Sequence, residues 1–339
     1  DTKRLVIEES PESLSGGEQP KRINVFVKED LVEPKMEEKT TPGARIKIIG
    51  VLKEVPVPLS TGGLSTRFEL ALEANNIIPL EETFEELDIN DEDERQILEL
   101  SEDPRVFEKL AKSIAPSVWG YEEIKKSLVL QLFGGVAKTH GDGQKSRGDI
   151  HILLVGDPGV AKSVTLVFMA EISPKGRYVV GKSTSGAGLT ATVVRDEYLR
   201  GWSLEAGAMV LANKGLVCID ELEKMDPQDR SAMHEAMEQQ TITISKANVQ
   251  ATLRAQTSVL AAANPKFGRF DPYQSIAQQI DLPPTLINRF DVIFTLRDLP
   301  NREQDEKIAS HVLLEHLKEG GTMLIPRELF RKYIAYAKQ

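Results

Sequence analysis

Residues 150–163 read IHILLVGDPGVAKS. An apolar run from Ile150 to Val155 stops at Gly156. Asp157, Pro158, Gly159, Val160 and Ala161 make a short loop, and Lys162 and Ser163 open an apolar helical pattern that continues to Met169. Strand, tight loop and helix in that order form an anion cradle, because the N–H groups of the loop and of the helix it opens converge on one spot. The lysine of such a loop reaches β- and γ-phosphates, and the hydroxyl beside it ligates Mg²⁺. Residues 156–163 are therefore read as an ATP-binding loop, with Lys162 on the phosphates and Ser163 on the metal. The plain alternative is a core strand followed by an ordinary capped helix. Ala161 stands where the usual pattern has glycine, so residue 161 is expected to keep a negative φ.

Two further buried runs lie downstream. Leu216-Val217-Cys218-Ile219 ends in Asp220-Glu221. At a strand's carboxyl end beside the loop, Asp220 suits the Mg²⁺ water shell and Glu221 suits polarising an attacking water. Two buried acids without a cation are costly, so the pair asks for a metal. Residues 258–263, SVLAAA, end at Asn264-Pro265. An amide there can orient the water or sense the γ-phosphate. Arg289 sits among turn-type residues before the strand-like VIFTL, where it can be offered to a neighbouring subunit.

Other patterns fill the intervals. Asp226-Pro227 starts a helix over residues 226–240, with Met233 and Met237 on one face. Residues 241–245 and 249–253 alternate with period two around Lys246-Ala247-Asn248, which reads as a β-hairpin with a lysine at its tip. Residues 183–191 are rich in Gly, Ser, Thr and Ala and read as a mobile segment.

Upstream, residues 1–78 hold short strand-like runs at 5–7, 23–27, 45–52 and 68–72, separated by turn residues. They suggest a small barrel or part of one. Residues 59–67, with Gly62-Gly63 at the centre, read as a hairpin tip with only Lys53 and Arg67 as nearby bases. Residues 79–103 read as an acidic linker without chemistry. Within them residues 81–103 carry twelve acids against one base, Arg95, which accounts for the whole net charge of −10. The rest of the chain is near neutral, so a basic face for nucleic acid stays open. Residues 104–339 read as an α/β domain, entered through a helical stretch in which Trp119 and Tyr121 are candidates to border an adenine ring. With 40% hydrophobic residues and 28% charged, the chain reads as globular. No apolar run reaches membrane-spanning length, and Cys218 is the single cysteine. These features point to an intracellular protein without a membrane partner.

Phosphate loop, acidic pair, hairpin, Asn264 and Arg289, in that order, resemble the AAA+ ATPases. The wording is narrower. GDPGVAKS, CIDELEKM, MEQQTITISKANVQATLRAQTSVLAAANP, LINRFD, SVWGYEEIKKSLVLQLFGG and RGDIHILLVGDPG resemble the minichromosome maintenance (MCM) replicative helicases, nearest the archaeal type because long insertions are lacking. EESPESLSGGEQPKRINVFVKEDLV and PGARIKIIGVL resemble that family's oligonucleotide-binding (OB-fold) barrel.

The resemblance implies an α/β AAA+ P-loop ATPase core preceded by a β-rich OB-fold portion. It implies an ATP- and Mg²⁺-dependent DNA helicase acting as a homo-oligomer, a hexamer in the family. Its partners are single- or double-stranded DNA and other replication-fork proteins. An archaeal member is cytoplasmic, and eukaryotic relatives are nuclear. Lys162 and Ser163 match the phosphate lysine and metal ligand. Asp220 and Glu221 match the metal acid and catalytic glutamate, Asn264 the polar sensor, and Arg289 the finger offered in trans. Gln239 and Arg147 match positions facing the subunit interface at the nucleotide. Lys246 matches the DNA-contacting lysine of the pore hairpin, and residues 183–211 match a second pore loop.

The chain also departs from the family pattern. The 59–67 hairpin has few bases, Trp119 and Tyr121 replace the commoner Tyr and His, and Asn288 replaces a Ser. The family's zinc module and its C-terminal helical lid are expected to lie outside this chain. Two rivals remain at the level of sequence: a non-motor DNA-binding ring subunit, and an AAA+ remodeller of proteins.

Overall fold

The computed structural model describes residues 2–8, 22–32, 46–58, 64–79, 89–139, 141, 145–182, 186–196, 201–246, 249–271, 273–317 and 324–338. The chain divides into two units, residues 1–81 and 82–339.

In the first unit β1 (Thr2–Glu8), β2 (Arg22–Lys28), β3 (Ile46–Pro58) and β4 (Leu64–Pro79) form one mixed sheet in the order β1-β2-β4-β3. The β1/β2 and β3/β4 pairs are antiparallel, and β2/β4 is parallel. Alternation along the strands sends Val25 and Val27 inward, where they meet Ala74 and Ile77. The runs expected at 45–52 and 68–72 fall on longer strands, β3 continuing to Pro58 and β4 running from Leu64 to Pro79, while residue 45 lies outside the described residues. The tip, residues 59–63, lies outside the described residues. Lys53 pairs with Glu73, which also takes Lys28 at 3.1 Å. Lys53 and then Lys28 hold that carboxyl below its usual range, so Lys53 is committed within its own sheet.

The second unit begins with α1 (Asp91–Ser101), α2 (Val106–Ser113) and α3 (Glu122–Phe133). A two-residue ladder, β5 (Lys138–Thr139) with β6 (Lys145–Ser146), leads into β7 (Ile152–Gly156), α4 (Lys162–Ile172) and β8 (Gly176–Val180). A single turn, α5 (Gly186–Leu189), precedes the hairpin of β9 (Ala191–Asp196) and β10 (Gly201–Ala206), and α6 (Ala208–Leu211) follows it. Next come β11 (Leu216–Asp220), α7 (Pro227–Gln239) and a second hairpin, β12 (Thr241–Lys246) with β13 (Val249–Arg254). The chain continues through β14 (Ser258–Ala263), α8 (Pro284–Ile287), β15 (Val292–Leu296), α9 (Arg302–Leu317) and α10 (Arg327–Lys338).

Five strands form a parallel sheet in the order β15-β7-β14-β11-β8. Leu153, Val155, Val217, Ile219 and Val259 face one side with Met233 and Met237 of α7. Ile152, Leu154, Cys218, Leu260 and Ala262 face the other, with Leu128 of α3, Leu166 of α4 and Phe330 of α10. Coverage on both faces is why these strands are unbroken apolar runs. The fold is an α/β P-loop core with hairpin inserts, preceded by a β-rich portion.

One expectation needs correcting, and two stretches carry structure that the sequence reading did not specify. Residues 79–103 are not a connector throughout: α1 carries a capping box from Asn90 and Asp93 and buries Ile97. Lys332 of α10 donates to Asp93 at 2.5 Å, and Tyr336 donates to Glu94 at 3.1 Å, so part of the acidic run fastens α1 to α10. Within residues 183–191, a helical turn occupies 186–189 and β9 begins at Ala191, with Leu189 buried; residues 183–185 lie outside the described set. Lastly, α9 and α10, which no sequence motif marks, follow the last strand. Phe330, Ile334 and Ala335 are spaced to bury one face of α10.

Candidate active site

Parallel strands place the loops after β7, β14, β11 and β15 along one edge of the sheet. At Gly156 an added Cβ would meet Leu296 Cβ at 2.8 Å and its carbonyl oxygen at 2.9 Å, so glycine lets the loop leave tight against β15. Asp157 is buried, and its two carboxylate oxygens accept from Phe270 N at 2.8 Å and Asp298 N at 2.9 Å. It fastens the loop to the segments after β14 and β15, a role its place in the loop motif does not disclose. Gly159 has φ +87°, and nothing within 4 Å would meet a Cβ there, so the loop's crown is open.

Ala161 has φ +59° and ψ +24°, in the left-handed region, where a negative φ was expected. The loop must reverse at this residue to aim the first turn of α4. Ala161 provides no side-chain cap, which leaves the early N–H groups of α4 for an anion. An L-residue in that region costs about 1–2 kcal/mol, and the greater freedom of glycine in the unfolded chain returns about 0.4–1. Ala161→Gly should therefore raise stability by about 0.5–1 kcal/mol. An equilibrium denaturation midpoint that falls instead would count against the left-handed loop.

Lys162 is buried, and its Nζ donates to Gly156 O at 2.7 Å and Asp157 O at 2.8 Å. Burial pushes its pKa down, while the charges of Asp220, Glu223 and Asp157 oppose that shift. Ser163, in the first turn of α4, is exposed.

Because β14 lies between β7 and β11, Asn264 stands between the loop and the acids. Asp220 is buried. Its Oδ2 accepts from Tyr178 Oη at 3.0 Å and its Oδ1 from Glu221 N at 2.9 Å. Burial and then the charge of Asp220 push Tyr178 up to about 12, which keeps it a donor. Glu221 has φ +53° and is only half-buried; Lys224 Nζ donates to its Oε1 at 2.5 Å. The acidic pair is thus not a doubly buried one that demands a metal, since Lys224 supplies a cation within the chain. Asn264 Nδ2 donates to Glu223 Oε1 at 2.8 Å. Tyr178, Glu223 and Lys224 carry no sequence signal of their own; only the fold brings them to Asp220, Asn264 and Glu221.

Arg289 lies at the other edge of the sheet. Val292 pairs with Ile152 and Leu296 with Gly156. At about 3.3 Å per residue, β15 alone separates the two edges by roughly 13 Å. Arg289 Nη2 pairs with Glu238 Oε1 at 2.7 Å, and its Nε donates to His234 Nε2 at 3.3 Å. Arg147 belongs to the same cluster: it donates to Arg289 O at 3.1 Å, Met237 O at 3.3 Å and Asp291 Oδ1 at 2.8 Å. Gln239 ends α7 nearby, and Gln240, with φ +56°, turns the chain and donates to Asp149 at 2.5 Å. Arg147, Gln239 and Arg289 were expected at a subunit interface; within one chain Arg147 and Arg289 form a cluster at the edge opposite the loop, with Gln239 at the adjoining end of α7.

Trp119 lines an open cleft of about 500 Å³ with Glu303, Glu306, Lys307, Ser310 and His311 of α9. His311 Nε2 lies 2.8 Å from Pro116 O. Tyr121 feels the charge of Asp298, whose N–H binds Asp157, so this region neighbours the loop. Lys246 ends β12 opposite Val249. Its side chain and residues 247–248 lie outside the described residues. The two hairpins are neighbours through β9 and β12.

The family described as the MCM P-loop domain matches residues 93–316. Over its full length the chain is 42% identical to the minichromosome maintenance protein MCM of Saccharolobus solfataricus, covering 48% of that protein. It is 44% identical to the DNA replication licensing factor mcm7 of Schizosaccharomyces pombe over 88% of this chain and 40% of that protein. With the DNA replication licensing factor MCM2 of Arabidopsis thaliana, identity is 38% over 99% of this chain and 38% of that protein. The chain spans about half or less of the length of these relatives.

Proposed function

The chain belongs to the minichromosome maintenance (MCM) family, and from that premise we propose that it is a subunit of a ring-shaped, ATP-driven replicative DNA helicase whose nucleotide sits between neighbouring subunits. One observation carries the reading. Arg289 lies on the sheet edge opposite the loop, so a single chain cannot present it to its own phosphates. A second copy, set edge to edge, can.

In this reading Lys162 exchanges its two loop carbonyls for the β- and γ-phosphates, and the open N-terminus of α4 adds backbone donors. Ser163 Oγ and Asp220 would hold Mg²⁺, which when bound would draw charge off the phosphate oxygens. Tyr178 keeps Asp220 oriented. Glu221, once free of Lys224, accepts a proton from the attacking water, and Asn264 aligns that water. Arg289 arrives from the next subunit, with Arg147 and Gln239 shaping the surface that presents it. Trp119 borders the adenine. The β-rich unit is taken as part of an OB-fold barrel. Lys246 contacts DNA phosphates without regard to sequence, as a motor needs.

Forked-duplex unwinding, run beside DNA-stimulated ATP hydrolysis, tests the coupling. Lys246→Ala should lower unwinding about tenfold or more while hydrolysis persists. Equal loss of both activities would remove the pore role. Hydrolysis that DNA never stimulates, with no unwinding by the parent chain, would favour the protein-remodelling alternative.

A further inference from the structure

The reaction as read so far uses two acids of the DELEK segment, Asp220 and Glu221. The third acid, Glu223, is placed no less closely. Left-handed Glu221 reverses the chain, and Leu222, fully buried, anchors the short turn Leu222–Lys224 against the end of β14. That turn sets Glu223 Oε1 2.8 Å from Asn264 Nδ2. The other carboxylate oxygen, Oε2, is buried and has no hydrogen-bond partner among the described residues. Glu223 also acts electrostatically on both Lys162 and Lys224, so it lies near the phosphate lysine and near the lysine that holds Glu221.

We infer that Glu223 is a positioning residue for hydrolysis: it selects which end of the Asn264 amide faces the attacking water. The inference rests on the reading of Asn264 as the amide beside the γ-phosphate.

An asparagine amide has two ends, a double donor and a carbonyl acceptor, that exchange by a half-turn. An ionised carboxylate only accepts, so Glu223 stabilises the orientation with Nδ2 toward itself and disfavours the flipped one. The carbonyl oxygen and the second N–H of Asn264 are then left for the water and the γ-phosphate. A neutral amide at residue 223 can donate or accept and selects neither orientation. A buried carboxylate oxygen without a partner is costly. An apolar or amide side chain would fill this corner at lower cost, so stability alone does not account for the acid.

The test is a cycle of ATP hydrolysis measurements on the parent chain, Glu223→Gln, Asn264→Ala and the double variant, each with kcat and KM. Glu223→Gln should lower kcat about tenfold, the loss of one orienting hydrogen bond. KM for ATP should stay near that of the parent, and the thermal midpoint should stay or rise. The double variant should be no slower than Asn264→Ala alone, because Glu223 acts through Asn264. A purely structural residue would instead lower the midpoint and add its effect to that of Asn264→Ala. If Asn264→Ala lowers kcat while Glu223→Gln does not, or if the two losses multiply, the inference is overturned and the reading of Asn264 survives. If Asn264→Ala leaves kcat unchanged, that reading fails and takes the inference with it. Glu223→Ala, carried through the same cycle, replaces Glu223→Gln should the amide variant fail to fold.

Discussion

Lys162→Ala is expected to reduce ATP hydrolysis by at least about 10²–10³, the cost of removing one preorganised donor at a charge-developing centre. Burial depresses the Lys162 pKa, but Asp220, Glu223 and Asp157 surround it with negative charge. Lys162 therefore faces three carboxylates and whatever anion enters the loop. Alanine removes that cation and its two bonds to Gly156 O and Asp157 O. The loop keeps its other anchors, Asp157 to Phe270 N and Asp298 N and the close approach of Gly156 to β15. The fold should therefore persist, with a stability loss of only about 1–3 kcal/mol. Steady-state phosphate release, beside circular dichroism of the same preparation, measures both. Turnover within tenfold of the parent, in a folded variant, would remove the loop from the chemistry.

Arg289→Ala should cost about 10³–10⁵ in turnover if its guanidinium completes the site of an adjacent subunit. Its in-chain bonds do not hold it back. The Glu238 pair is part-exposed, with side-chain exposures of 32% and 44%, and such pairs are worth about 0–1 kcal/mol. Exchanging Glu238 for a neighbour's phosphate is thus inexpensive, and losing the pair should barely change stability. The decisive measurement is mixing. Arg289→Ala keeps an intact loop, and Lys162→Ala keeps an intact Arg289. In an equal, random mixture about a quarter of interfaces of a ring combine the two good halves. Hydrolysis should reappear on mixing two inactive proteins. No recovery, in preparations shown to co-assemble, would mean that Arg289 is not a shared residue.

How far these placements can be read before folding differs from residue to residue. Lys162, Ser163, Asp220 and Asn264 are legible because each follows an unbroken apolar run, and in a parallel sheet every such run ends on the same edge. Ala161 misleads because composition says nothing of the φ a loop imposes, and the structure puts it at +59°. Asp157 is visible as a member of the loop but not as its anchor, since its partners are backbone N–H groups more than a hundred residues away. Glu223 is hidden for the same reason: its partner, Asn264, follows a strand 41 residues away in the chain. In the acidic run, charge density argues for a solvated linker, yet Ile97 and the grip of Asp93 and Glu94 on α10 make part of it a docked helix.

Sequence alone determined which groups stand at the strand ends: a loop with a lysine, two adjacent acids, an amide and an arginine ahead of the last strand, each tied to a strand by its apolar pattern. It also determined the two-part division into β-rich and α/β segments, because hydrophobic period is a local property. Only the tertiary structure decided the strand order, and with it the company each residue keeps. It set Asn264 between the loop and the acids, and it put Arg289 on the edge that its own loop does not reach. Strand order is settled by burial on two faces at once, a sum over contacts far apart in the chain that no local window contains.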